Sequence, residues 1–205
     1  MKKFVYYISG TILFLFSCKS VQTVSHNALS SETKILNSRI AQMSIEEKVG
    51  QTCQITLDVI TKTDEKGAAL IPASIDTAKL NEAIFKYHVG SILNVGAHTL
   101  SKNEWKGIIT AVQNPYATGK TLIPIIYGID AIHGINYTVD GTLFPQEIGL
   151  AATWNTQLAK TFGEITAYET RASGIPWNFS PVLDLGRQPL WSRTFETLGE
   201  DPILA

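Results

Sequence analysis

The sequence predicts an α/β fold with a parallel sheet: the N-terminal part of a (β/α)8 TIM-type barrel, incomplete in this chain. Three observations carry this. Short runs that are apolar on both faces alternate with segments of helical period, the pattern of a parallel sheet with covered faces. Neither G-x-G-x-x-G nor G-x-x-x-x-G-K occurs, which weakens a nucleotide-binding doubly wound sheet. The 205 residues fall short of the roughly 250 that a full barrel takes. Because the chain closes just after Asp201-Pro202, a cap and an N1 proline that open a helix, we expect a fragment cut part-way through its barrel.

The elements follow in order. Ile35, Leu36, Ile40 and Met43 fall at helical spacing within 31–43. Ser44-Ile45-Glu46-Glu47 is a capping-box pattern and opens a short helix that Gly50 weakens or ends. Residues 53–60 are β-rich and predict a strand, and 61–72 a loop. Asp76 caps a helix with Leu80, Ile84 and Tyr87, and 91–93 reads as a short buried strand. Ser101 caps a helix with Trp105, Ile108, Ile109 and Val112 on one face, which Asn114-Pro115 shortens. Residues 122–127 form an apolar strand. Asn155 or Thr156 opens a helix with Leu158, Phe162, Ile165 and Glu169, and Gly174 sits where a C′ residue belongs. Residues 177–185 hold the next strand, which makes about four.

Composition excludes several classes. Lys plus Arg number 17 against 18 Asp plus Glu, a formal charge of −1, so there is no basic excess to hold nucleic acid. With 44% hydrophobic and 17% charged residues the chain is not disordered. Two cysteines exclude a disulfide scaffold.

The first segment reads as targeting rather than fold. Lys2 and Lys3 precede 13 uncharged residues, 4–16, too short to span a bilayer but suited to a signal h-region. Leu15-Phe16-Ser17-Cys18 then resembles a bacterial lipobox, whose cysteine becomes the lipidated first residue. The alternative is an ordinary secretory signal with a chance cysteine. The expected organisation is a lipoprotein signal peptide over 1–17, a polar tether over 18–30 and a partial barrel domain over 31–205. Cleavage before Cys18 removes two lysines and no acid, taking the formal charge from −1 to −3. We expect export, a lipid anchor in a bacterial membrane as the only membrane contact, and the periplasmic face. Cys53 then stands alone in an apolar run, a buried structural thiol rather than a nucleophile.

Active sites in such barrels lie where the strands end. Residues 127–134, Tyr-Gly-Ile-Asp-Ala-Ile-His-Gly, run an apolar strand into Asp130 and His133 between glycines. A carboxylate there can accept bonds from vicinal sugar hydroxyls. Equally, Asp130 could cap a helix and His133 could satisfy a buried carbonyl. The second cluster, 184–202, mixes acids, arginines and aromatics. Arginine offers a planar fork of donors, and Trp191 a face on which a sugar ring could stack. The plainer reading is a loop held by Arg187 or Arg193 paired with Glu196 or Glu200. Asp184 reads as an orienting or capping acid.

From Met43 onward the chain resembles the N-terminal part of glycoside hydrolase family 3, the β-glucosidase-type enzymes. Four motifs carry the likeness over about 160 residues. They are Met-Ser-Ile-Glu-Glu-Lys-Val-Gly-Gln at 43–51, the 127–134 run, Phe-Pro-Gln-Glu-Ile-Gly-Leu-Ala-Ala-Thr at 144–153, and Gly-Ile-Pro-Trp-Asn-Phe-Ser-Pro-Val-Leu-Asp at 174–184 leading into Gly-Glu-Asp-Pro at 199–202. The resemblance implies that Asp130 hydrogen-bonds the hydroxyls of the non-reducing terminal sugar and that Arg193 helps hold the same sugar. The family usually has Asp-Pro-Arg-Trp-Gly-Arg where this chain has Gln188-Pro189-Leu190-Trp191-Ser192-Arg193.

A retaining glycosidase needs a nucleophile and an acid/base about 5–5.5 Å apart. The resemblance places both downstream of Ala205, so no catalytic residue is assigned within the chain. The sequence holds no metal-ligand cluster, and the reaction needs no cofactor. The expected function is a retaining, exo-acting β-glucosidase-like hydrolase acting on a carbohydrate substrate, with this fragment alone inactive. The N-acetylhexosaminidases of the family typically carry Asp-Gln-Glu-Gly-Gly where this chain has Asp130-Ala131-Ile132-His133-Gly134. Other exo-β-glycosidases such as xylosidases stay open, as does a non-catalytic glycan-binding lipoprotein.

Overall fold

The structure, a computed structural model, describes residues 26–96, 98–121 and 123–205, with side chains from 31 onward. The signal segment 1–17 and Cys18 lie outside the described residues. The chain divides after Met43 into two units. The first holds helix α1 (His26–Gln42), which begins before the expected Ser31 and so takes in the end of the expected tether.

The second unit, 44–205, carries four strands: β1 (Gln54–Thr56), β2 (Ser91–Leu93), β3 (Ile126–Ile129) and β4 (Trp177–Asn178). They lie side by side in the order 1-2-3-4, each pair parallel. Helix α2 (Ile45–Gln51) precedes β1, and helices intervene between the strands: α3 (Thr77–Asn81) running into a π-helical turn at Glu82–Lys86, α4 (Lys102–Ala117), α5 (Glu147–Ala151) and α6 (Thr156–Ala172). This is an arc of a (β/α) barrel, as expected.

The helix starts are local chemistry. Ser44 and Glu47 exchange the two bonds of a capping box, as do Ser101 and Glu104. Asp76 accepts from the N–H groups of Ala78 and Lys79, and Asn155 from that of Leu158. At the end of α6, Gly174 takes φ +85, and the Gly174 and Ile175 N–H groups return to Arg171 and Thr170 carbonyls in a Schellman motif.

Neighbours set other boundaries, and most of these differ from expectation. α2 ends at Gln51, one residue past Gly50, close to where that glycine was expected to end it; a Cβ at Gly50 would also collide with the Tyr87 carbonyl, so glycine serves close approach as well. β1 is short: after Thr56 the chain curls into a 3-10 turn, Leu57–Ile60, that buries both end residues. Pro115 does not shorten α4, which closes beyond it through Thr118 N–H on the Asn114 carbonyl. β3 starts later than expected because its first ladder bond is Ile126 N–H to Gly90 O, after Pro124, which has no N–H to give. β4 ends at Asn178. Residues 202–204 form a turn in which Asp201 Oδ1 caps Ile203 N–H.

The two faces of the sheet differ, where covered faces were expected. Ile92, Tyr127 and Ile129 are fully buried against α3 and α4, with Trp105 edge-on to Tyr127 at 5.8 Å. The opposite face carries Thr56, Leu93, Gly128 and Trp177 in one row, and it is open: Ile126 is 50% and Trp177 41% exposed.

Candidate functional site

The C-terminal ends of β2, β3 and β4 each present a polar residue: Asn94, Asp130 and Asn178. Asp130 follows Ile129 directly, so the strand sets its position. Asn94 Nδ2 donates to Asp130 Oδ2 at 2.7 Å, and Asp130 N–H donates to Asn94 Oδ1 at 2.9 Å. The Tyr127 hydroxyl donates to the Asn94 carbonyl at 2.5 Å. Asn178 Oδ1 accepts from the N–H groups of Ala131 and Ser180, which ties β4 to the turn after Asp130. Phe179 N–H continues to the Ile129 carbonyl, and its ring lies against Gly128, where a Cβ would overlap it. Gly134 takes φ +90 with the Thr142 carbonyl where its Cβ would be, so this glycine makes the turn beyond His133.

Arg193 comes from the segment after β4, as the residue preceding a 3-10 turn, Thr194–Glu196. Its Nε and Nη2 both bond Glu196 Oε2, at 2.7 and 2.6 Å. The expected internal arginine–carboxylate pair is thus Arg193 with Glu196. Arg187 instead donates its Nε to the Glu200 backbone carbonyl at 3.3 Å.

Asp130 and Arg193, both singled out in the sequence, open onto one cleft of about 360 Å³, which Gln54, Leu93, Phe179 and residues 181–184 complete. Asp184 lies in its wall, exposed, and accepts no hydrogen bond among the described residues, so it caps none of them. Trp191 does not line the cleft. No protein group among the described residues bonds the His133 ring, so it satisfies no buried carbonyl among them.

The electrostatics are those of an acidic cleft with one cation. Glu196 holds the Arg193 guanidinium charged, and Asp130 and Asp184 add to this. Burial raises the Tyr137 phenol above its usual range, helped by the negative charge of Asp130. Burial likewise lifts Tyr127, with Asp58 adding. Such a cleft can accept and donate hydrogen bonds to a neutral polyhydroxylated ligand, while Phe179 supplies an apolar face.

Two site residues escaped the sequence reading. Asn94 sits just past an apolar strand, as Asp130 does, and that position was its signal. Glu147 lay inside a quoted motif but had no local mark of burial. It is 0% exposed and bonds Ser180 and Val182. Cys53 corrects an expectation: it is exposed, because it lies between α2 and β1 rather than in the strand, with its thiol turned to the Val49 carbonyl. It lines an apolar cleft of about 720 Å³ at the start of β1, which is larger than the Asp130 cleft but is fed by no strand end. Among the described residues no helix is long and apolar enough to cross a membrane.

Residues 44–205 match the model of the glycosyl hydrolase family 3 N-terminal domain. A lysosomal beta glucosidase of Dictyostelium discoideum is 38% identical over 93% of this chain and 24% of its own length. The crystal structure of an exo-1,3/1,4-beta-glucanase from a Pseudoalteromonas species superposes with a TM-score of 0.62 at 32% identity, over 85% of this chain and 21% of that one. A beta-glucosidase of Listeria innocua, solved as a mutant with laminaribiose, gives 0.57 at 28% identity over 83% of this chain and 22% of that one. The chain therefore spans about a quarter of the length of these relatives.

Proposed function

The chain belongs to glycosyl hydrolase family 3, and on that premise we propose that it is the N-terminal part of a retaining, exo-acting β-glucosidase-like enzyme. The enzyme hydrolyses terminal β-linked sugars from oligosaccharides or glycosides through a covalent glycosyl-enzyme intermediate. One observation carries the proposal: Asp130 and Arg193, from separate parts of the chain, open onto one cleft at the C-terminal end of the parallel strands. Asp130 accepts bonds from hydroxyls of the non-reducing terminal sugar, and Arg193 donates to the same sugar. The nucleophile and the acid/base lie downstream of Ala205. Export and acylation at Cys18 belong to the same proposal and rest on the sequence of residues 1–18.

The test is hydrolysis by the full-length protein of aryl β-glucoside, β-xyloside and N-acetyl-β-glucosaminide. The expected result is the highest kcat/KM on the glucoside, with the β-anomer of the sugar as first product. Preference for either other glycoside moves the enzyme within its family. Binding without turnover makes it a glycan-binding lipoprotein.

A further inference from the structure

We propose that Asn94 is the positioning residue of the sugar-binding carboxylate: it fixes Asp130 in one orientation and leaves one carboxylate oxygen open to the substrate. The inference rests on the proposed role of Asp130 in holding the terminal sugar.

Every polar group of Asn94 is directed at β3 or its end. Its N–H donates to the Gly128 carbonyl at 2.9 Å, and its carbonyl accepts the Tyr127 hydroxyl at 2.5 Å. Its side-chain oxygen accepts the Asp130 N–H at 2.9 Å, and its side-chain nitrogen donates to Asp130 Oδ2 at 2.7 Å. The amide has only one workable orientation. Flipped, it would set NH2 against the Asp130 N–H and a carbonyl oxygen against the carboxylate.

Asn94 also takes φ +53, the left-handed region, which a side-chain-bearing residue adopts at a cost unless its surroundings over-determine it. Asn tolerates this region better than most residues, which accounts for Asn rather than Gln here. Strand pairing alone does not need the side chain, since the Asn94 N–H on the Gly128 carbonyl already extends the β2–β3 ladder and the Tyr127 hydroxyl reaches the Asn94 carbonyl of the backbone. What the side chain adds is aimed at the carboxylate.

That carboxylate is otherwise free. Among the described residues, no other side chain bonds Asp130. The Asp130 charge helps to raise the Arg193 guanidinium and the Tyr137 phenol, with no hydrogen bond between Asp130 and either. Without Asn94 the carboxylate would rotate about its terminal torsion, which is broad for Asp. With it, Oδ2 is held by a charge-assisted bond, and Oδ1 has no hydrogen-bond partner among the described residues while Asp130 lines the cleft. Orientation of this kind is set before substrate arrives, so its loss is read mainly in binding.

The experiment compares four forms of the full-length protein: wild type, Asn94→Gly, Asn94→Asp and Asp130→Asn. Glycine keeps the left-handed backbone, the ladder bond to Gly128 and the carbonyl that accepts the Tyr127 hydroxyl, and deletes only the side chain. Aspartate keeps the shape and the acceptor for the Asp130 N–H, but turns an oxygen toward Asp130 Oδ2. Each is assayed on an aryl β-glucoside and on analogues lacking one sugar hydroxyl at a time.

We expect both Asn94 variants to melt within about 4 °C of wild type, and to lose about tenfold or more in kcat/KM, chiefly through KM. The hydroxyl whose removal most harms wild type should matter severalfold less in Asn94→Gly. A residue serving strand pairing alone would leave that ratio unchanged. Wild-type kcat/KM and unchanged analogue ratios in both Asn94 variants overturn the inference alone, provided that Asp130→Asn is impaired. If Asn94→Gly does not fold, Asn94→Asp decides on the same readouts. If wild type cleaves no aryl β-glycoside, or Asp130→Asn is fully active, the proposed role of Asp130 fails, and this inference with it.

Discussion

Glu147 Oε2 accepts the backbone N–H of Val182 at 2.9 Å, across 35 residues of chain. Its other carboxylate oxygen accepts the Ser180 hydroxyl at 2.5 Å. The side chain is completely buried at the start of α5, with no cation bonded to it among the described residues. A lone buried carboxylate is tolerated only where hydrogen bonds replace its hydration. Here the bonds come from residues 180 and 182, the start of the segment that walls the Asp130 cleft.

Burial raises the Glu147 carboxyl above the ordinary glutamate value of 4.5, against the two hydrogen bonds, and the Glu196 charge pushes it the same way. The folded protein therefore binds this proton more tightly than the unfolded chain does. The stability from that proton is fully present below pH 4.5 and is lost as pH rises through the folded value. We expect the thermal midpoint of wild type, measured relative to Glu147→Gln, to decline between pH 4.5 and neutrality. A flat difference across that window would show that Glu147 does not titrate. Glu147→Ala leaves the Val182 N–H and the Ser180 hydroxyl without their acceptor. At about 1–3 kcal/mol for each buried unsatisfied group, it should melt well below wild type.

Asp130→Asn in the full-length enzyme keeps the shape of the side chain but weakens its acceptance of bonds from sugar hydroxyls. A hydrogen bond to a charged group is worth about 1.5–3 kcal/mol, so kcat/KM should fall roughly ten- to a hundredfold. Arg193→Lys should also fall, because an ammonium can neither reproduce the planar fork nor keep both contacts to Glu196. Thermal midpoints should change little in either variant. If Asp130→Asn retained wild-type kcat/KM, or lost activity only by unfolding, the carboxylate would serve the local structure and not the sugar.

The parts of the fold legible in the sequence are those decided within four or five residues. Ser44 with Glu47, Asp76, Ser101 with Glu104, and Gly174 all cap as their neighbours dictate. Strand lengths were not legible, because a ladder extends only as far as its partner. The β-rich run at 53–60 becomes three paired residues beside a three-residue β2. Asp130 was visible as an acid at a strand end. Its holder, Asn94, became recognisable only once β2 and β3 lay in register, with Leu93 opposite Gly128. Glu147 reads as an ordinary first-turn helix acid. Its burial depends on Ser180 and Val182, which no local pattern connects to it.

Acylation at Cys18 is testable directly. Leu15-Phe16-Ser17-Cys18 follows a short apolar run behind two lysines. Growth with a clickable fatty acid should label the wild-type protein and leave Cys18→Ser unlabelled, with Cys18→Ser released from the membrane fraction. Cys53 is the control: it is exposed, so Cys53→Ser separates lipidation from chance thiol labelling. Equal labelling of wild type and Cys18→Ser would rule out the lipobox reading.

The 205 residues on their own should behave as an open arc. The sheet face carrying Thr56, Leu93, Ile126 and Trp177 is covered only at Gly128, by the Phe179 ring, among the described residues, and Ile126 and Trp177 are half or nearly half exposed. The edges at β1 and β4 leave backbone groups unpaired on their outer sides. Apolar surface of this kind drives association when nothing covers it. We expect residues 19–205 to bind a hydrophobic dye, to aggregate at micromolar concentration and to melt without a sharp transition. We also expect no turnover of an aryl β-glucoside, since retaining hydrolysis needs two carboxyl groups about 5–5.5 Å apart, and the family resemblance places both beyond Ala205. A soluble monomer with a cooperative melt would show that the arc is self-sufficient. Turnover by that monomer, abolished in Asp184→Asn, would move the chemistry into the cleft of Asp130 and Arg193 and overturn the assignment of the catalytic pair to the downstream chain.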